Sequence, residues 1–424
     1  MKTWPFLLLL PFGVGAGLCT NSLVQARATV EPTIGSQAQL DDYALKNPSA
    51  NLDKIGHAFG NSQARLFWNT DLEAAKRQSA REGKPILALR LLGKLSDEYS
   101  CANSRFFRVV FYPQSKINQR LRRDFVLYWS SERPVPVVTI DMGDGRILKR
   151  TITGNSAHYL LDSNGRPLDV FPGLATPTAF ASWLDSSTVL AQNFKALPQG
   201  ERNKWLANWH SDQLRETIGL TLGKPTPAVL DRQVKREMDF NPLEVNTNVT
   251  AISAREASPL AVGKMVVERP MLGALDRLSP RPSISLVDSQ NTPPLLDEAT
   301  VARIHAMNPL LTSPQPLRSP VQNVALTQTQ TTQKNTEEAR FKTLISAFED
   351  NLRSDTRQNQ RFSISLHALF ANSHEGTLES LNRRVYDRLF LTPRSDEWLG
   401  LTSDTAFSAL QNDGITLPTP STTN

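Results

Sequence analysis

Two cysteines in 424 residues exclude a disulfide-rich scaffold and any zinc or iron–sulfur site built from cysteines. The six histidines are scattered along the chain, so no metal site is expected, and no cofactor motif stands out. Neither G-x-S-x-G nor H-E-x-x-H occurs. Gly143-Asp144-Gly145 has no following helix whose amides would cradle a phosphate, and it fits a hairpin turn instead. The charge is nearly balanced: 47 basic and 41 acidic residues leave +6, without the concentrated stripe of a nucleic-acid binder. Arg120, Arg122 and Arg123 read as a solvated helix face, and no nucleic-acid partner is expected. Beyond the N-terminal segment there is no apolar run long enough to span a membrane. Glycines number 21 against 28 prolines, and the prolines cluster unevenly, so part of the chain is not expected to pack.

What is present begins with an export signal. Lys2 is the only charge in residues 1–26, Trp4 to Leu18 is apolar, and Val24-Gln25-Ala26 and Ala26-Arg27-Ala28 both fit the small-residue cleavage pattern. The apolar run contains Pro11 and is shorter than the roughly 20 residues a membrane anchor needs, which favours cleavage. Cys19 follows Leu18, where a lipoprotein signal wants a small side chain, so lipidation is disfavoured. The expected product is periplasmic or extracellular, free of a transmembrane span, with Cys101 as its single cysteine and therefore no internal disulfide.

Residues 27–60 show no sustained period and read as a tether. Thr70-Asp71-Leu72-Glu73 is a capping box opening a helix that stops at Gly83. Ile86 to Leu92 is a nearly continuous apolar run, the pattern of a strand buried on both faces. A helix from Ser100 to Phe111, a second from Gln114 to Arg123, and a strand over 125–129 follow. Further strands are expected over 137–140, 146–152, 157–161 and 168–171, the last two joined at Ser163-Asn164-Gly165. An amphipathic helix then starts at Thr176 or Thr178, which closes an α/β domain over 61–197. Residues 198–223 read as a helical extension carrying Trp205 and Trp209. Recurrent prolines and the Thr/Gln run at 327–333 mark 224–334 as a disordered linker, with one short helix over 296–307. Phe341, Leu344, Ile345, Phe348 and Leu352 form a helical stripe. Helices over 362–370 and 378–390, and a fourth capped by Ser403, complete a small all-α bundle over 335–417 with a tail at 418–424.

In order along the chain come Trp68 before a helix, Glu82-Gly83-Lys84-Pro85 leading into the first central strand, Cys101-Ala102-Asn103-Ser104 opening the next helix, Asp162-Ser163-Asn164-Gly165 between the last strands, and Phe171-Pro172-Gly173 before the final helix. This framework resembles the thioredoxin-fold superfamily, in particular its secreted branch. The resemblance implies a three-layer α/β/α domain with its active position at Cys101. Three features depart from the family. The second thiol of a dithiol motif is a hydroxyl, Ser104. Ser156-Ala157 stands where the family places a proline beside the cysteine, and the loop from Gly93 to Cys101 is longer than usual. Leu389 to Pro393 and Asp396 to Gly400 resemble a module appended to similar proteins, which implies no activity.

Cys101 carries the mechanistic argument. A thiol at a helix start with Arg105 and Arg108 one and two turns on can be activated, while Asp97 and Glu98 oppose that. The alternative is a buried, inert cysteine. Ser104 caps the helix or donates to the sulfur, and His158, on a central strand, is either a satisfied core or edge residue or the candidate base for Cys101. His367 and His374 lack the i, i+4 spacing of a helical metal pair. The leading expectation is an exported thioredoxin-like protein without dithiol chemistry, acting as a binding or thiol-holding module toward a thiol- or disulfide-bearing protein. The rival is a single-cysteine thiol oxidoreductase or peroxide-reducing enzyme with Cys101 as nucleophile. A third reading is a structural envelope protein whose linker spans two modules.

Overall fold

The computed structural model describes residues 33–151, 154–223, 225–243, 294–308, 330–372, 376–390 and 392–395. The export signal, the helix expected from Ser403, His374 and most of the expected linker lie outside these residues.

The segment expected to be a tether is folded from Gln37 onward. Helix α1 (Gln37–Lys46) is capped by Ser36, whose hydroxyl accepts from the Gln39 amide, and α2 (Leu52–Ile55) is capped by Asn51. Leu40, Ala44 and Leu52 are buried with Phe67, and Gln37 accepts from the Phe67 amide at 2.9 Å. Caps and a few apolar contacts thus order a stretch too short to show a period. Helix α3 (Asn61–Ala64) is a single turn, and α4 (Leu72–Glu82) runs from its cap to Gly83, as expected. The capping side chain is Asp71, one residue after Thr70; its carboxylate accepts from the Ala74 amide at 2.6 Å. Gly83 ends the helix in the left-handed conformation, at φ 72°, where a side chain is strained.

The main sheet has four strands in the order β2 (Val126–Arg133), β1 (Ile86–Leu92), β5 (Ser156–Leu161), β6 (Pro167–Pro172). Strand β1 runs parallel to β2 and antiparallel to β5, and β5 runs antiparallel to β6. The parallel step needs a crossover, supplied by α5 (Ala102–Phe106), a π-helical turn at Phe107–Phe111, and α6 (Ser115–Asp124). Every residue of β1 is buried, as its unbroken apolar run implies. Strands β3 (Val137–Asp141) and β4 (Ile147–Thr151) form the expected hairpin, but as a separate two-stranded sheet with exposed Met142 and Ile147. Helix α7 (Pro177–Ala196) starts on a Thr176 cap with Pro177 as its first residue.

Side chains alternate between the two faces of the sheet. His158 of β5 meets Phe107 of the π turn and Phe180 of α7 on one face. Its neighbour Tyr159 points the other way, toward the C-terminal helices.

Those helices do not stand apart as a bundle. After α8 (Arg202–Thr221) and α9 (Pro227–Asp239) come α10 (Glu298–Met307), α11 (Gln330–Ala371) and α12 (Leu378–Arg384), the last continued by a π turn at Val385–Leu389. Helix α11 packs on α8 and β6. Its Leu352, Leu366 and Leu369 share one buried cluster with β1 and β5, as do Leu381 and Tyr386. Polar contacts pin the same junction. Tyr159 donates to Asn382 at 2.9 Å, Asn382 donates to Glu132 at 2.6 Å, and buried Arg90 pairs with Glu379. The amphipathic faces meet one another, as Phe362 of α11 meets Phe390, and share the buried cluster of the sheet.

The two helices expected over 341–352 and 362–370 are one, because no glycine or proline interrupts 330–371. Helix α10 matches the short helix expected inside the linker. Helix α9 does not match the linker expectation: Pro227 opens it, and Val234 is buried beside Leu214, Ile218 and Ala368. No helix among the described residues is long and apolar enough to cross a membrane.

Candidate functional site

Cys101 stands where the chain leaves β1 and enters the crossover. The loop from Gly93 brings it back against the strand, and its amide donates to the Leu92 carbonyl at 3.0 Å. Its side chain is fully buried. The thiol donates to Ser104 Oγ at 3.4 Å, and Ser104 in turn donates to the Cys101 carbonyl at 2.8 Å. Ser100 and Ser104 hydroxyls lie 2.8 Å apart. Each hydroxyl has one hydrogen, and that of Ser104 is used on the carbonyl, so Ser100 is the donor between the two. Ser104 therefore accepts from the sulfur and offers it nothing; the sequence-level choice between cap and thiolate donor resolves to a backbone tie.

The hydrogen bonds of Arg108 go to the loop and not to the sulfur, although its charge interacts with Cys101. It is 4% exposed, and its guanidinium donates to the carbonyls of Leu95 and Asp97 at 3.0 Å and to Ser100 Oγ at 2.5 Å. Longer bonds reach the carbonyls of Ser104 and Phe59. Burial lowers its pKa to about 10. The carbonyl dipoles, together with the Phe59 ring face 5.6 Å away, hold the cation in place. This arginine fastens the loop that carries Cys101.

Two further elements close over the thiol. Gly154, with φ +130°, lies so near that a Cβ there would sit 2.5 Å from the Cys101 Cβ. Its neighbour Asn155 is tied from both sides: Asn103 donates to its side chain at 3.3 Å, and the Tyr386 hydroxyl donates to its carbonyl at 3.0 Å. Burial raises the Tyr386 pKa, which keeps that hydroxyl protonated as a donor. Arg105, half-buried beside the site, donates to Thr151 of β4 at 2.7 Å, and Lys149 lies over the Tyr99 ring at 4.2 Å. The hairpin base, the 154–155 turn and the C-terminal π turn thus meet around Cys101. Gly154 and Tyr386 carry no motif in the sequence; a glycine two residues before a strand was the one available signal.

His158, the candidate base, belongs to a different environment. It is fully buried, its Nε2 lies 2.7 Å from the Tyr112 hydroxyl, and Phe107 packs edge-on with ring centroids 4.4 Å apart. Its Nδ1 has no hydrogen-bond partner among the described residues. Burial alone lowers its pKa to about 3, so it is neutral at physiological pH. No hydrogen bond links it to Cys101. The structure therefore brings Cys101 and Ser104 together and leaves His158 in an aromatic core.

The arginines of α6 are ion-paired: Arg120 with Asp185, Arg122 with Asp41 and Arg123 with Asp124.

One cluster suited to holding a metal was invisible in the sequence. Asp169 of β6, His210 of α8 and His367 of α11 place one ligand atom each within 4.8 Å of one another. His210 Nδ1 lies 2.9 Å from His367 Nδ1, and His210 Nε2 lies 2.8 Å from the Leu168 carbonyl. A carbonyl accepts only, so His210 carries its proton on Nε2 and accepts from His367 through Nδ1. Asp169 accepts from the Val170 amide and the Trp183 indole, each at 2.8 Å. Desolvation lowers both histidine pKa values, that of His367 to about 4, and raises that of Asp169 to about 7.

Compared with known proteins, the chain matches no protein-family model, no curated protein and no solved structure.

Proposed function

We propose that this chain is an exported thioredoxin-like protein whose former redox position has become part of its core, and that it acts as a binding module without thiol chemistry. The strand order β2-β1-β5-β6, the parallel β1/β2 pair with its helical crossover, and the antiparallel β5/β6 hairpin support the thioredoxin-like reading. The N-terminal segment, with Lys2, the apolar run to Leu18 and small residues after it, supports export.

One observation carries the functional half: the Cys101 thiol is fully buried and donates its hydrogen to Ser104. Disulfide exchange requires a sulfur that a second sulfur can approach in line, and peroxide reduction requires access for the oxidant. The Cys101 side chain has no exposed surface, and Gly154 packs close to its Cβ. A thiol-holding role needs the same access, so recognition is assigned to the surface. The β3–β4 hairpin, with Met142 and Ile147 exposed, is the element this reading assigns to a protein partner.

The test is thiol labelling of the folded, full-length protein with a disulfide reagent, followed through increasing denaturant. Cys101 is expected to label only as fast as the protein opens, with rates that rise in step with unfolding. Rapid labelling of the native protein would overturn the proposal. So would mixed disulfides trapped in cells that vanish in Cys101→Ala.

A further inference from the structure

Asp169, His210 and His367 come from an edge strand and two helices widely separated in sequence, and they converge in the interior. His210 and Asp169 are 0% and 2% exposed, and His367, at 9%, is the ligand reached from solvent. Three features of this group go beyond a hydrogen-bonded pair of histidines.

The first is spacing. Two imidazole nitrogens on one tetrahedral zinc, each about 2.0–2.1 Å from the metal, stand about 3.3 Å apart. The Nδ1 atoms of His210 and His367 are already 2.9 Å apart, so a small outward shift admits an ion between them. The second is orientation. His210 donates Nε2–H to the Leu168 carbonyl, which fixes the tautomer and aims the Nδ1 lone pair at the cluster. Metal-bound histidines are held in the same way by a carbonyl or carboxylate on the far nitrogen. The third is the carboxylate: the Trp183 indole and the Val170 amide orient Asp169, leaving its remaining lone pairs for an ion.

We propose that Asp169, His210 and His367 bind one divalent transition-metal ion of the zinc class, tying α11 to α8 and to the edge strand β6. Two imidazoles and one carboxylate select zinc or cobalt over magnesium or calcium, which prefer all-oxygen shells. On binding, the ion takes the place of the hydrogen shared by the two Nδ1 atoms. The His367 proton moves to its Nε2, so the imidazoles release none; Asp169 binds as the carboxylate, and any proton it carried passes to solvent. A water completes four-coordination. The site is independent of Cys101 and of the reading given above for it.

The experiment uses the full-length protein, stripped with a chelator and titrated with cobalt(II). A ligand-field absorption that saturates at one equivalent, disappears on adding zinc and is not produced by magnesium is the expected result. Zinc should raise the unfolding temperature, and a chelator should reverse the rise. His367→Gln, which can still donate to His210, and Asp169→Asn should each reduce cobalt affinity at least tenfold while folding without metal. X-ray absorption of the zinc-loaded wild type decides the matter even if a variant does not fold: two imidazoles around zinc are expected. Absence of cobalt absorption, an unchanged titration in His367→Gln, or a zinc shell with fewer than two imidazoles would each overturn the site.

Discussion

At the scale of single residues, the contact between Gly154 and Cys101 sets the character of the site. A side chain at position 154 meets two penalties: a φ of +130°, which L residues rarely adopt, and a Cβ 2.5 Å from that of Cys101. Gly154→Ala is therefore expected to destabilise the fold by about 2–3 kcal/mol in urea unfolding, through backbone strain and overpacking together. Cys101→Ala removes only a buried sulfur whose partner, Ser104, keeps its bonds to Ser100 and the Cys101 carbonyl. Its expected cost is on the order of 1 kcal/mol. A larger loss in Cys101→Ala than in Gly154→Ala would mean that the sulfur, and not the backbone approach, holds the site together. The Cys101–Ser104 spacing was legible in the sequence because it is local. A buried thiol is one of the two readings the sequence offers and the structure bears it out; the neighbours around it, Gly154 and Tyr386, come from far along the chain. A core place for His158 is the ordinary reading of a histidine on a central strand, and the structure gives it that place; the rings of Phe107 and Phe180 that enclose it come from other elements.

At the scale of elements, Arg108 and Tyr386 add polar ties between segments whose apolar residues already share the main buried cluster. Arg108 joins the π turn to the loop carrying Leu95, Asp97 and Ser100, by a fork of donors that a lysine cannot reproduce. Arg108→Lys is expected to cost about 3 kcal/mol, because buried carbonyls lose their donors. Amide hydrogen exchange over 94–100 should accelerate more than in the sheet. Uniform acceleration everywhere would show a global effect instead. Tyr386→Phe removes one bond to the Asn155 carbonyl. It is expected to cost about 1 kcal/mol and to speed Cys101 labelling roughly fivefold, in step with that loss of stability. An unchanged labelling rate would show that this bond does not stabilise the fold that covers the thiol.

Caps and strands were readable one element at a time: Gly83 stops its helix, and the unbroken run Ile86–Leu92 gives a fully buried strand. What an amphipathic helix packs against is not local information. The stripe on Phe341 to Leu352 shows that one face is buried; only the fold shows that Phe341 meets His305 of α10 and Phe348 meets Phe106 of α5.

At the scale of the whole molecule, the sheet, α8 and α11 share one core, so acid stability is a property of the entire described fold. His158 is its clearest titrating element, since burial alone shifts it, with the Tyr112 hydroxyl on its Nε2 and the rings of Phe107 and Phe180 against it. Its pKa is about 3 in the fold and near 6.5 once exposed, so between these values the unfolded chain binds a proton that the folded chain does not. Its contribution to stability is accordingly complete above about pH 6.5 and falls as the pH drops toward 3, by about 2 kcal/mol at pH 5. His158→Leu alone would leave the Tyr112 hydroxyl buried without its partner, at a cost of about 1–3 kcal/mol at every pH. Adding Tyr112→Phe removes that orphan. The double variant is therefore expected to be less sensitive to acid than the wild type, losing about 2 kcal/mol less between pH 7 and pH 5 in urea unfolding. An equal loss in both proteins would mean that His158 is solvated or charged in the native state, and that the aromatic cage around it opens at neutral pH.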